Sequence, residues 1–250
     1  MTNSLPTTLP LSKLVTEMQE SATLKMAKMA RELKAQGKDV IDLSLGEPDF
    51  DTPVHIKEAA KKALDDGYTK YTPVNGLLEL RQAIVNKLAR ENDLHYTVNQ
   101  IVVSNGAKQS VYNLCMALLD PGDEVILPAP YWVSYAEIVK MAGGVPVIAN
   151  SSIEQDFKST PEEIEALITD RTKFILYSSP CNPSGSVFSF EELQALALML
   201  QAHEHVLVVS DEIYEHINFT DRHYTIASME GMKDRTVIIN GMSKGYAMKG

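Results

Sequence analysis

Apolar residues follow two rhythms along this chain. From about Val15 to Gln36 they recur at helical spacing, and Gly37 closes the run. Val40-Ile-Asp-Leu43 predicts a short strand that runs into Ser44-Leu-Gly-Glu-Pro-Asp-Phe50, a loop punctuated by Gly and Pro. Helical spacing returns over Val54–Asp66 and Leu77–Glu91. Short apolar runs and helical patterns then alternate. Strands are expected at Ile101–Ser104, Glu124–Leu127, Val145–Ala149, Lys173–Ser178, Val206–Ser210 and Arg235–Asn240. Helices are expected at Lys108–Leu119, Trp132–Ala142, Pro161–Ile168 and Phe190–His203. This order predicts an α/β fold with a mainly parallel sheet and helices on both faces. It divides the chain into a segment of different character, residues 1–50, and one domain, residues 51–250.

Ligands of such sheets sit beyond the carboxyl ends of the strands. Four polar clusters are expected there: Ser104-Asn-Gly-Ala-Lys108, Ser178-Ser-Pro-Cys-Asn182, Asp211 with Tyr214, and Ser243-Lys244. Bulk properties narrow the chemistry. A net charge of −10 argues against a nucleic-acid partner, which calls for a clustered basic surface. No apolar run is long enough to span a bilayer, and the first ten residues lack the pattern of a signal peptide, so a cytoplasmic location is expected. Asn150-Ser-Ser152 and Asn218-Phe-Thr220 are then chance sequons. Cys115 and Cys181 form no disulfide framework or zinc spacing, and the histidines lack metal-site spacing, so no metal is expected. G-x-G-x-x-G and the P-loop are both absent, which removes the main support for a dehydrogenase or a nucleotide hydrolase.

Each remaining cluster admits two interpretations. Asn105-Gly-Ala-Lys108 at a strand-to-helix turn offers N–H groups that suit a phosphate, or is an ordinary turn. Asp211, closing an apolar strand, either caps the segment starting at Glu212 or faces a protonated heterocyclic nitrogen; buried, it requires a partner in either case. Trp132 is core, or stacks on a planar ring. Tyr214 and Asn182 are structural, or donors to a ligand. Lys244 is a surface lysine, or an amine that traps a carbonyl.

Seven motifs taken together lift the ambiguity: Ser44–Phe50, Lys70-Tyr-Thr-Pro73, Asp120-Pro-Gly-Asp-Glu124, Pro130-Tyr-Trp-Val-Ser-Tyr135, Ser179-Pro-Cys-Asn-Pro-Ser-Gly185, Ser210-Asp-Glu-Ile-Tyr214 and Ser243-Lys244. In this order they resemble class I pyridoxal-phosphate aminotransferases of fold type I, close to the bacterial aspartate aminotransferases. The resemblance runs from about Val15 to Gly250. It implies that Lys244 condenses with the cofactor aldehyde and then acts as general base. Asp211 is implied to pair with the pyridine nitrogen, Tyr214 and Asn182 to bond the ring oxygen, and Trp132 to stack on the ring. Gly106, Ala107 and Lys108 are implied to cradle the phosphate, with Ser243 beside the lysine. Gly46 is implied to lie near the substrate, together with Trp132 and Asn182, and Tyr71 to reach the phosphate of a neighbouring subunit in a homodimer with shared sites. The substrates implied are an amino acid, acidic or aromatic, and a 2-oxo acid; a C–S lyase on the same scaffold stays open.

The family pattern continues after Gly250 with an arginine that clamps the phosphate and a small domain that clamps the substrate carboxylate. Residues 1–50 are implied to pack on that domain, and Lys249 replaces a small hydroxyl residue. The resemblance therefore implies a large domain without its small C-terminal domain. A 250-residue chain is expected to turn over weakly or not at all, and a non-catalytic cofactor-binding or dimerisation module is the alternative.

Overall fold

The computed structural model describes residues 10–18, 22–220 and 222–248. They fall into two compact units, Met1–Gly46 and Glu47–Gly250. The expected helix over 15–36 is two helices. In α1 (Lys13–Glu17) the Ser12 hydroxyl accepts from the Val15 N–H at 3.3 Å, and Met18 turns extended. After it comes α2 (Ala22–Ala35), with Gly37 beyond its end at φ +78°. Residues 40–43 pair with no strand among the described residues, and Leu43 is 90% exposed. Correction is therefore due to the expected strand there: an apolar run without a neighbour to share its backbone hydrogen bonds stays irregular.

The second unit begins with α3 (Val54–Asp65) and α4 (Leu78–Asn92), then α5 (Ala107–Leu118). From there strands and helices alternate: β1 (Glu124–Pro128), α6 (Ser134–Met141), β2 (Val145–Ala149), α7 (Pro161–Glu165), β3 (Thr172–Ser178), α8 (Phe190–Gln201), β4 (Leu207–Asp211) and β5 (Thr236–Ile239). The strands form one sheet in the order β2-β1-β3-β4-β5, every pair parallel, as the alternation requires.

Period-two alternation builds a core on each face of this sheet. Val125, Leu127, Phe174, Leu176 and Val209 pack with Val111 and Cys115 of α5 and Tyr135, Ile138 and Val139 of α6. Ile126, Ile175, Tyr177 and Val208 pack on the other side with Ile164 of α7, Leu193, Leu196 and Leu200 of α8, and Ile226. The strands are apolar throughout because both faces are covered.

Residues 101–104 were expected to be a strand and are not one. The Val103 N–H donates to the Asn75 carbonyl at 3.2 Å, Val102 is 68% exposed, and no strand among the described residues pairs with the segment. Gly76 lies against this segment at φ +95°, where a Cβ would come within 2.6 Å of Val103 Cγ2. Only glycine accepts both that backbone and that approach.

Candidate active site

The parallel register brings the polar ends of the central strands together. Ser178, last in β3, is paired with Asp211, last in β4, and the Ser179 N–H donates to the Asp211 carbonyl at 3.2 Å. Alternation along β4 places Asp211 on the same face as Val209, the side covered by α5 and α6. There the Tyr135 hydroxyl of α6 donates to Asp211 Oδ2 at 2.6 Å. The Ile213 N–H donates to Oδ1 at 3.2 Å. Asp211 is 3% exposed. Burial raises its carboxyl pKa from 3.8 to about 6, against the opposing pull of the Tyr135 and Ile213 hydrogen bonds. Burial also drives the Tyr135 hydroxyl upward, and the Asp211 charge adds to this.

Tyr214 sits three residues on, in the turn that follows β4. Its hydroxyl is raised by burial and then by the Asp211 charge, while a hydrogen bond from the Asn182 side chain lowers it. Lys244 Nζ lies 5.5 Å from the centroid of the Tyr214 ring. Thus Asp211, Tyr214, Asn182 and Lys244 converge at one edge, although they come from three separate strand ends. Ser243 and Lys244 occupy a half-buried turn after β5, in which the Ala247 N–H donates to the Lys244 carbonyl at 3.2 Å. An open groove of about 330 Å³ runs beside Asn182 and Tyr214, with Cys181 and Phe219 in its wall.

A second group gathers at the start of α5. Gly106 takes the N-cap position at φ +84° with no side-chain cap, and nothing lies within 4 Å of where its Cβ would be. Because the first-turn N–H groups of a helix have no intrahelical acceptor, Ala107 and Lys108 present theirs outward. Lys108 Nζ stands 4.8 Å from the Trp132 ring centroid, and Trp132 meets Tyr135 edge to face at 5.5 Å. Tyr135 therefore links the α5 group to Asp211.

One expected site residue stands apart from these groups. Tyr71 is fully exposed and touches neither. Gly46 closes the first unit and is described there. Tyr135 itself was passed over in the sequence, although it lies in a quoted motif; its position three residues after Trp132, one helical turn along, was the available signal. Glu212 was missed as well. Buried, it accepts from Thr225 Oγ1 at 2.5 Å and Ser210 Oγ at 2.9 Å, and it pairs with His223 at 3.0 Å.

Comparison with known proteins follows the same lines. Residues 38–250 match the family described as aminotransferase class I and II. The aspartate/prephenate aminotransferase of Nitrosomonas europaea is 49% identical over 242 residues, which cover 96% of this chain and 61% of that protein. The aspartate aminotransferase of Geobacillus stearothermophilus is 50% identical with the same coverage of both. Among solved structures, the aspartate aminotransferase of Rhizobium meliloti superposes with a TM-score of 0.93 at 45% identity, over 97% of this chain and 61% of that one. The Thermus thermophilus aspartate aminotransferase with maleate gives 0.91 at 45% identity, over 97% and 63%. The chain thus spans about three fifths of the length of these relatives. With a parallel sheet whose strand ends carry the expected residues and a family match over most of its length, this chain belongs to the class I and II aminotransferases.

Proposed function

We propose that this protein exchanges an amino group between an amino acid and a 2-oxo acid with pyridoxal phosphate as cofactor. Aspartate or another acidic or aromatic amino acid is the substrate we favour, in line with the names of its relatives. The observation that carries the proposal is the buried Asp211 carboxyl on the edge shared by Tyr214, Asn182 and Lys244. Its burial makes it a poor isolated anion and a good counter-ion for a cation that enters beside it.

The residues present fit the cofactor by their chemistry. An uncapped helix N-terminus with Lys108 suits the phosphate, and the Trp132 indole offers a flat face to the ring. Asp211 suits a protonated ring nitrogen, the Asn182 amide and Tyr214 phenol suit the ring oxygen, and Lys244 is the primary amine for the aldehyde. When bound, the cofactor supplies a carbonyl that accepts the amino group and a cationic ring that draws electrons from the substrate α-carbon. Lys244 Nζ takes and returns the proton at that α-carbon. Asp211 holds the positive charge on the ring nitrogen, and Tyr135 holds Asp211 in orientation. Tyr214 and Asn182 would hold the ring oxygen by hydrogen bonds.

We also propose a homodimer in which Tyr71, fully exposed on its own chain, reaches the phosphate of the partner's site. A cytoplasmic location is part of the same proposal; among the described residues no helix is long and apolar enough to cross a membrane. The test is the absorbance of pyridoxal phosphate mixed with the wild-type chain and with Lys244→Ala. An imine band confined to the wild type supports the assignment, and identical spectra refute it. A panel of amino acids and 2-oxo acids then identifies the substrates, and elimination without amino transfer in that panel would point to a lyase.

A further inference from the structure

Below the Lys244 turn lies a polar cluster that the proposed chemistry does not use. Glu215, 4% exposed at its side chain, sits between three elements. Its Oε1 pairs with Lys87 of α4, and with His216 Nε2 at 3.0 Å. Its Oε2 accepts from Asn240 Nδ2 at 2.9 Å, and Asn240 Oδ1 in turn accepts from the Gly241 N–H at 2.7 Å. Glu91 closes the cluster at 3.5 Å from Lys87 and 3.7 Å from His216. His216 also braces the far side of the turn. A Cβ on Gly245 would stand 3.1 Å from His216 Cβ, and the Tyr246 ring meets the imidazole edge to face at 5.8 Å.

These contacts flank the two groups that face each other in the site. Tyr214 precedes Glu215 in sequence, and Lys244 lies between Asn240 and Tyr246. We infer that Glu215 is a positioning residue: through Asn240 and His216 it fixes the Lys244 turn against the Tyr214 ring. This rests on the proposed role of Lys244, but the clamp itself is a claim about the chain alone. The physical ground is that a buried carboxylate with every partner in place admits one arrangement, because moving any partner leaves a charge or donor unpaired.

An isosteric swap tests it. Asn240→Asp sets two carboxylates against each other, while adding Glu215→Gln restores a donor and an acceptor with the roles exchanged. In the double variant Glu91 still faces Lys87 at 3.5 Å, which guards its folding. Two readouts are made on the 250-residue chain: the rate of acetylation of Lys244 by acetic anhydride, and capture of pyridoxal phosphate at Lys244 after borohydride reduction, both by peptide mass spectrometry. Asn240→Asp should change the acetylation rate at least about threefold and weaken capture by about tenfold. The double variant should return both to within about twofold of wild type. A loss of stability alone would lower the melting temperature without this rescue. Unchanged acetylation in folded Asn240→Asp, or no recovery in a folded double variant, overturns the clamp. Absence of capture by the wild type, with acetylation responding as described, overturns the cofactor assignment and leaves the clamp supported.

Discussion

Asp211 offers the sharpest quantitative test, because its effect on stability has the opposite sign to that of an ordinary carboxylate. In the unfolded chain its pKa is near 3.8, and in the fold burial raises it to about 6. Between those values the folded state binds more protons than the unfolded state, so stability falls as pH rises. Below about pH 3 the group is protonated in both states and costs nothing; the cost grows through the interval and is complete above about pH 7. That cost is about 3 kcal/mol at 1.36 kcal/mol per pKa unit. Glu124, which Thr169 and Arg171 hold low, acts in the reverse direction and loses its contribution as pH falls. A difference between two variants therefore isolates Asp211. Asp211→Asn keeps an acceptor for the Ile213 N–H and lets the Tyr135 hydroxyl accept from the new amide. Urea denaturation of the cofactor-free chain from pH 4 to 7.5 should give a wild-type stability that declines relative to Asp211→Asn by about 2.4 kcal/mol. Saturating pyridoxal phosphate should flatten the wild-type decline by supplying a cationic partner, with no such effect on the variant. Parallel curves for the two cofactor-free proteins would refute the buried, raised carboxyl and the argument built on it.

Other expectations are simpler. Tyr135→Phe removes the donor to Asp211 Oδ2, so the apparent pKa of Asp211, followed by carboxyl NMR, should move further up, with about 1–2 kcal/mol of stability lost at pH 7. Gly76→Ala should cost about 2 kcal/mol or more in chemical denaturation, since it adds a strained backbone to a clash with Val103. Met232→Ala empties a fully buried site against α8 and the segment around Ile226, and should cost about 2–4 kcal/mol in the same assay. Under native conditions iodoacetamide should alkylate Cys181 well before Cys115, whose thiol is enclosed and whose pKa burial raises to about 11; equal rates would contradict the packing of α5.

Much of the fold was legible because its rules are local. Pro161, Ser189 and the acidic residues after them mark helix starts at α7 and α8, and the structure places capping boxes at Thr160 and Ser189. Failure came where an element depends on a distant neighbour. Val40–Leu43 and Ile101–Ser104 carry strand-like residues, yet a strand exists only by pairing, and sequence spacing says nothing about what lies alongside. Asn182, Asp211 and Lys244 were easier to single out for a related reason: each lies in or just after a polar stretch that follows an apolar strand, at the edge where ligands of parallel sheets gather.

What the sequence alone determined, then, is which residues stand at the strand ends and which faces of strand and helix are apolar. Tertiary structure decided the partners. Only the parallel register of the sheet, with α6 packed on the same face as Asp211, brings Tyr135 to Asp211 over 76 positions of chain, and only the approach of α4 to the end of β5 surrounds Glu215 with Lys87 and Asn240. The reason is that hydrogen bonds and burial act over a few ångströms in space, whereas the periodicity of a sequence reports only which way each side chain faces.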